Sequence, residues 1–481
     1  MKKQNHVSEK RKRRRKKNER KAIILAVLVV ISVIALVVTL AAFVFKADFF
    51  VGKNREEQKN RQENDAQPEI EVTVEDATNQ SDRGGELDDA DLGQTDGSNP
   101  DQPDRSTVQK NENVEVLQDV TMIFAGDICF YDAYANMTAL RARGGKIESC
   151  IDEKLLAEMK AADICMVNNE FAYSDRGTPL ADKAFTFCSK PSNVSLLHDM
   201  GVDLVSLANN HVYDYGPDAL LDTLDTLKNA DIPYVGAGRD LSEASAVYYF
   251  EKNGRRIAFV SATQVERNEH PDTKGATDTT PGTFRCYTKD EFERLTAVIR
   301  EADAQADLTV VYVHWGTENT DELHWAQIEQ APQIVEAGAD LVIGDHPHCL
   351  QNVEYLNGVP VIYSLGNFWF NSKTLDTCLF KVIYRTDGKL DCRLIPAKQH
   401  DCRTDMETGS EKQRILDYMQ CISPNVTFDQ DGNITNTPYT GPKIDYDAVE
   451  RVPDPPAAAT PLPAADPTGP VPDDITPVPV Q

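Results

Sequence analysis

The chain has 481 residues, ten cysteines and a net charge of −27. That length admits two or three average domains, but the charge is laid down unevenly: the first 21 residues carry twelve Lys or Arg against two Glu, and the rest carry about −37. So acidic a body excludes capture of a nucleic acid or another polyanion by net charge alone.

Residues 22–45 contain no charge and are rich in Ile, Val, Leu and Ala. At about 1.5 Å per residue a helix there spans roughly 36 Å, enough for a bilayer core of about 30 Å. A cleaved signal would show a shorter apolar region and a small-residue cleavage site, and neither is present. The expectation is one transmembrane helix at 22–45, with a basic cytoplasmic tail at 1–21 and the C-terminal domain extracellular, in a single-pass protein of the cell membrane. The basic tail then orients the span, and no nucleic-acid partner is expected.

Residues 46–118 read as a disordered acidic linker: residues 51–118 hold 18 acidic and seven basic side chains and few large apolar ones. A folded unit is expected over 119–422. Helical spacing appears at 152–162 through Leu155, Leu156 and Met159, and at 217–230 through Leu220, Leu221, Leu224 and Leu227, with Pro217 at the tolerated start. Two more helices are expected at 289–304 and 326–337, and a last one at 411–421 through Ile415, Leu416 and Met419. Asn253-Gly254 and Asn357-Gly358 are hairpin signals between apolar runs. Crossovers mixed with hairpins predict an α/β fold with mixed sheets and helices outside. The segment 423–481 reads as a Pro-rich, largely disordered tail.

All ten cysteines follow the apolar span, a location that permits disulfides if it is oxidising. Cys392 with Cys402, or Cys402 with Cys421, are the candidate pairs, whereas Cys165 and Cys349 read as small apolar residues of strand runs.

Chemistry gathers where apolar runs end. Ile123-Phe124-Ala125 runs into Gly126-Asp127, and Ile164-Cys165-Met166-Val167 runs into Asn168-Asn169-Glu170. Leu204-Val205-Ser206 leads to Asn209-Asn210-His211, and Val310-Val311-Tyr312-Val313 to His314. Leu341-Val342-Ile343 ends in Gly344-Asp345-His346-Pro347-His348. In open α/β sheets ligands sit outside the carboxyl ends of strands, and oxygen and imidazole donors from five such ends predict one shared metal site. Trp325 and Trp369 are expected to pack rather than to bind.

Eight motifs in order carry a resemblance: Gly126-Asp127; Asn169-Glu170; the run from Ser206 to His211 with Asp214-Tyr215-Gly216; Gly236-Ala237-Gly238-Arg239; His314-Trp315-Gly316; Gly338-Ala339-Asp340; His346-Pro347-His348 with Gln351; and Ser364-Leu365-Gly366-Asn367-Phe368. Across roughly residues 120–375 the chain resembles the CapA family of capsule-synthesis proteins, associated with poly-γ-glutamate. That family in turn resembles the calcineurin-like metallophosphoesterases. The resemblance implies a four-layer αββα sandwich of the metallo-dependent phosphatase type and divalent metal ions, two in number, of Mn, Zn or Fe type. Asp127 and His348 would hold one metal, Asn210, His314 and His346 the other, and Glu170 would stand as the bridging carboxylate. His211 would be the general acid, oriented by Asp214, while Arg239 and Asn367 are candidate substrate-binding residues.

Two positions depart from the phosphoesterase pattern: Cys129 stands where a His is usual, and Glu170 replaces an Asp. The resemblance implies a metal-dependent hydrolase acting on a capsule or cell-envelope polymer, and the two departures motivate a second reading. The alternative is a non-catalytic polymer-binding or export component beside membrane synthase subunits.

Overall fold

The computed structural model describes residues 117–444 and 446, apart from 182 and 266–273. The expected basic tail, the 22–45 helix, nearly all of the linker and the segment beyond 446 lie outside the described residues. Among the described residues no helix is long and apolar enough to cross a membrane.

Two sheets dominate. The first runs through β1 (Val120–Ile128), β2 (Ile164–Asn169), β3 (Leu204–Ser206) and β4 (Tyr234–Val235), all parallel. The second holds β5 (Tyr248–Lys252), β6 (Arg255–Thr263), β7 (Leu308–His314), β8 (Leu341–Asp345), β9 (Val353–Leu356) and β10 (Val359–Ile362), in the order β9-β10-β8-β7-β6-β5. β11 (Asn367–Trp369) returns to pair with β1. β12 (Leu375–Tyr384) and β13 (Leu390–His400) then extend the first sheet as an antiparallel hairpin beside β1, and β14 (Arg403–Met406) pairs with β13.

The longer helices among the described residues are α1 (Ala135–Ala142), α2 (Glu153–Ala161), α3 (Ser195–Met200), α4 (Gly216–Asn229), α5 (Lys289–Asp303), α6 (Trp325–Glu336) and α7 (Gly409–Ile422). Local chemistry sets their starts. Asp152 accepts the Lys154 amide at 2.7 Å ahead of α2, and Thr288 with Glu291 forms a capping box ahead of α5.

Alternation along each central strand serves two cores at once. On β1, Val120, Met122 and Phe124 face one core while Ile123 and Ala125 face another. The first of these cores lies between the sheets, where Phe124 and Met166 share a cluster with Phe259, Tyr312 and Ile343. The outer face of the first sheet buries Cys165, Val167 and Val205 against Leu155 of α2, Leu197 of α3 and Leu220 and Leu224 of α4. The outer face of the second sheet buries Val260, Val311 and Val342 against Leu295 and Ile299 of α5 and Ile334 of α6. Strands buried on both faces account for their near-continuous apolar sequence. This is the mixed α/β, sheet-rich arrangement expected.

Both Asn-Gly signals are hairpin turns, with Asn253 at φ 52° and Gly254 at 74°, and Asn357 at 52° and Gly358 at 90°. The five expected helices are present to within about two residues of their expected ends. Three readings need correction. The folded body does not stop at 422: β15 (Thr427–Phe428) and β16 (Asn433–Thr435) add to the edge of the first sheet through β13. Cys392 and Cys402 form no disulfide, so neither candidate pair, Cys392 with Cys402 or Cys402 with Cys421, is joined. Trp369 is buried as expected, but Trp325 is 52% exposed. It opens α6 with Ile328 on the same exposed face, because the helix buries only its Ala331 and Ile334 side against the sheet.

Candidate metal centre

The parallel strands of both sheets deliver polar residues at their carboxyl ends. β1 carries Asp127, β2 carries Asn168 and leads to Glu170, β3 leads to Asn209, Asn210 and His211, β7 ends in His314, and β8 ends in Asp345 just before His346 and His348. Pairing across the first sheet sets Asp127 level with Asn168 on one side and Asn367 on the other. Across the second, His314 is level with Asp345. Strand-end glycines allow close approach at two points. A Cβ on Gly126 would lie 1.8 Å from the Gly366 carbonyl oxygen, and one on Gly344 would lie 2.1 Å from that of Tyr363. The loop after β8 turns sharply, with His346 at φ 101° and His348 at 57°. Positive φ at two non-glycine residues is uncommon and clusters at functional sites.

Two donor groups converge there. Glu170, His314 and His346 each offer a ligand atom within 4.8 Å of the others, and so do Asp127, Glu170 and His348. Glu170 belongs to both. Its two carboxylate oxygens are buried and have no hydrogen-bond partner among the described residues. A buried unpaired carboxylate is costly, and burial followed by the nearby Asp127 pushes its acid form well up in pH. Facing ring nitrogens tell the same story: His346 Nδ1 and His314 Nε2 are 3.2 Å apart. His314 Nε2 is also 2.8 Å from Asn210 Oδ1 and 3.5 Å from Glu170 Oε1. Oxygens and imidazole nitrogens crowding one spot fit a divalent cation.

Electrostatics keeps most of these imidazoles neutral, the form that binds metal. Burial drives His314 down to about 3 and His346 well below the usual range, helped by the neighbouring His314. His348 goes the other way. Burial opposes its charge, but Asp127 Oδ2 lies 3.0 Å from Nδ1 and outweighs it. Asp127 is correspondingly lowered despite its burial.

Asn367 Oδ1 also meets His348 Nδ1, at 2.9 Å, so this residue touches a proposed ligand. His211 lies at the side of the cluster, its Nε2 3.9 Å from Glu170 Oε1 and its Nδ1 2.7 Å from Asp214 Oδ2. Burial raises Asp214 to about 7 even beside the Lys183 ammonium, while burial, then Lys183, holds His211 well below its ordinary value. Arg239 stands apart. Its guanidinium binds Glu243 at 2.7 Å, Asp225 and the Tyr234 hydroxyl, none of which belongs to the cluster.

Several participants escape sequence reasoning. Asn168 donates to Asp127 Oδ1 at 2.8 Å and lies 3.2 Å from His314 Nδ1, while Asn209 donates to Asn168 Oδ1 at 3.0 Å. Asp345 lies beneath the cluster, bound by the Tyr312 hydroxyl and the Leu365 amide. Lys183 pairs with Asp214 at 2.6 Å. The only sequence signal for Asn168 is its place beside Glu170 at a strand end; Lys183 sits in a polar loop with no periodicity. Cys129 joins neither donor group. Its thiol is buried, burial keeps it protonated far above its usual pKa, and its backbone bonds Trp369 and Asn136.

Comparison with known proteins finds a family and relatives over the same part of the chain. Residues 121–372 match the family model described as "Bacterial capsule synthesis protein PGA_cap". The PGA biosynthesis protein CapA of Bacillus subtilis (strain 168) is 33% identical over 241 residues, covering 49% of this chain and 61% of that protein. The capsule biosynthesis protein CapA of Bacillus anthracis is 32% identical over 240 residues, covering 49% and 57%. A probable polyglutamine synthesis accessory protein of Mycobacterium tuberculosis is 27% identical over 213 residues, covering 44% and 56%. The chain spans about three fifths of the length of the curated relatives it matches.

Proposed function

This chain belongs to the bacterial capsule synthesis family PGA_cap, and from that premise we propose that it is a metal-dependent hydrolase of capsule polymer production. Its substrate is a capsule or cell-envelope polymer of the poly-γ-glutamate type, and it works beside membrane synthase subunits. Residues 22–45 anchor it in the cell membrane, with 1–21 in the cytoplasm and the folded body outside. Its fold type is the four-layer αββα sandwich of metallo-dependent phosphatases.

One observation carries the reading: the Glu170 carboxylate is buried without a partner between two donor groups that both include it. A carboxylate shared in this way fits two divalent cations of Mn, Zn or Fe type. Asp127 and His348 would hold one, and Asn210, His314 and His346 would hold the other. Bound cations of this kind lower the pKa of water and clamp the oxygens of a phosphoryl or acyl centre. The chain's own residues do the rest. Asn168 fixes Asp127 and steadies His314, the role of hydrogen-bonded support behind metal ligands. Asp214 orients His211, whose Nε2 faces the cluster and, after taking a proton from the attacking water, passes it to the leaving group.

The test is elemental analysis of the purified full-length chain, with turnover of phosphoester and polyglutamate substrates measured on the same preparations. Bound divalent metal in the wild type, with turnover abolished by Asp127→Ala, is the expected result. Wild-type protein that stays metal-free after loading would overturn the reading.

A second reading has its own support, because the buried protonated Cys129 leaves the first donor group one imidazole short of the phosphoesterase pattern. On that reading the cleft holds polymer without cleaving it. His211→Ala would then leave capsule output intact at unchanged protein level.

A further inference from the structure

Leu180, Lys183 and Phe187 pass the His211 side of the cluster and are held by Asp214, while Ser174 and Arg176 further back are held by Asp222. The Leu180 amide donates to the Asp214 carbonyl at 2.9 Å. The Phe187 amide donates to Asp214 Oδ2 at 2.7 Å, and the Phe187 ring lies against the His211 imidazole with centroids 4.2 Å apart. Lys183 Nζ donates to Asp214 Oδ1 at 2.6 Å and also to the Asn210 carbonyl. The Lys183 side chain is only 8% exposed and that of Asp214 is fully buried.

Burying a lysine costs rotamer freedom and ammonium hydration. A surface pair would anchor the loop without that cost. What the buried pair adds is a division of labour on one carboxylate. Lys183 occupies Oδ1, so Oδ2 is left to the Phe187 amide and to His211 Nδ1 at 2.7 Å. Oδ2 already accepts the Phe187 amide, and the Lys183 ammonium at Oδ1 favours the ionised carboxylate, which only accepts, so the ring nitrogen that meets Oδ2 carries the proton. The other nitrogen, Nε2, is then bare and turned to Glu170 at 3.9 Å.

We propose that Lys183 is a positioning residue. By holding Asp214 Oδ1 it keeps Oδ2 on His211, locks the imidazole as the Nδ1–H tautomer, and presents an unprotonated Nε2 to the metal cluster. That this arrangement serves proton transfer rests on the catalytic reading above; the tautomer does not. Lys183 thereby acts through Asp214 and need not touch substrate.

The experiment is nitrogen NMR of the full-length chain labelled with 15N-histidine, without added metal, at one mildly alkaline pH where the Asp214 carboxylate is ionised. The chain has nine histidines, and His211→Gln assigns the signal. Wild type should show Nδ1 protonated and Nε2 bare at His211. Lys183→Met should shift that pair toward the opposite or a mixed tautomer, and Lys183→Arg should restore it. A wild-type His211 protonated on Nε2 overturns the proposal even if Lys183→Met fails to fold. So does a folded Lys183→Met whose His211 signals superimpose on wild type, since a residue that merely rivets the loop would leave them in place. Should turnover be absent from every preparation while the tautomer pattern holds, the catalytic reading fails and this one stands.

Discussion

Phe124 and Asp127 lie three residues apart on one strand and obey opposite rules. Phe124 is buried between the sheets in one apolar cluster with Tyr312 and Ile343. Asp127 is equally buried but sits among carboxylates and imidazoles, one of them unpaired. The same contrast recurs on β7 between Val310 and His314, and on β8 between Leu341 and Asp345. The lower part of each strand is built for stability. Its carboxyl end carries orphaned oxygens and left-handed histidines that stability alone would not select.

The largest effect that separates the two regions is on metal. His346→Ala with His348→Ala should reduce bound metal to background by elemental analysis while leaving the cooperative unfolding of the metal-free protein nearly unchanged. Collapse of the fold instead would mean that the loop is structural. Phe124→Ala is the mirror experiment. It should cost about 3–5 kcal/mol in denaturant unfolding, yet the folded fraction should bind metal as wild type does.

A subtler cut is Asn168→Ala, which removes the amide between Asp127 and His314. Metal affinity should fall roughly 10- to 100-fold by competitive chelation, as for other residues that support ligands from behind. An unchanged affinity would place Asn168 with the packing residues. Glu170→Gln should have opposite signs in two states. It removes a buried carboxyl whose raised pKa penalises folding at neutral pH, so the melting temperature of the chelated protein should rise, while the further rise produced by metal should shrink. Equal melting shifts with and without metal would dissolve the distinction drawn at Glu170. The smallest effect belongs to Trp325→Ser on the exposed face of α6. It should change stability by no more than about 0.5 kcal/mol, read from the same denaturant curves.

Much of this contrast was legible in the sequence because it is periodic. A two-faced buried strand reads as an unbroken apolar run, and its end is marked by the first polar residue. That is how Asp127, Glu170, His314 and the His346–His348 pair stand out. The Asn-Gly turns declare themselves through the left-handed backbone they require. Lys183 was not legible, because nothing local ties a lysine in a polar loop to an aspartate 31 positions on. Asp345 was hidden by its neighbours, since an acid before two histidines reads as part of the motif and not as the partner of Tyr312. The two-residue strand Thr427–Phe428 is too short for alternation to register. The half-exposed Trp325 shows the converse limit: residue type announces bulk but not which side of a helix is covered.

The glycine contacts at Gly126 and Gly344 carry one more consequence. With room for no side chain between those strand ends and the carbonyls of Gly366 and Tyr363, main chain rests directly on main chain on both sides of the cluster. Each contact fixes one strand end against its own neighbour by main-chain packing, so a cation bound among the side chains would have to be accommodated by their torsions.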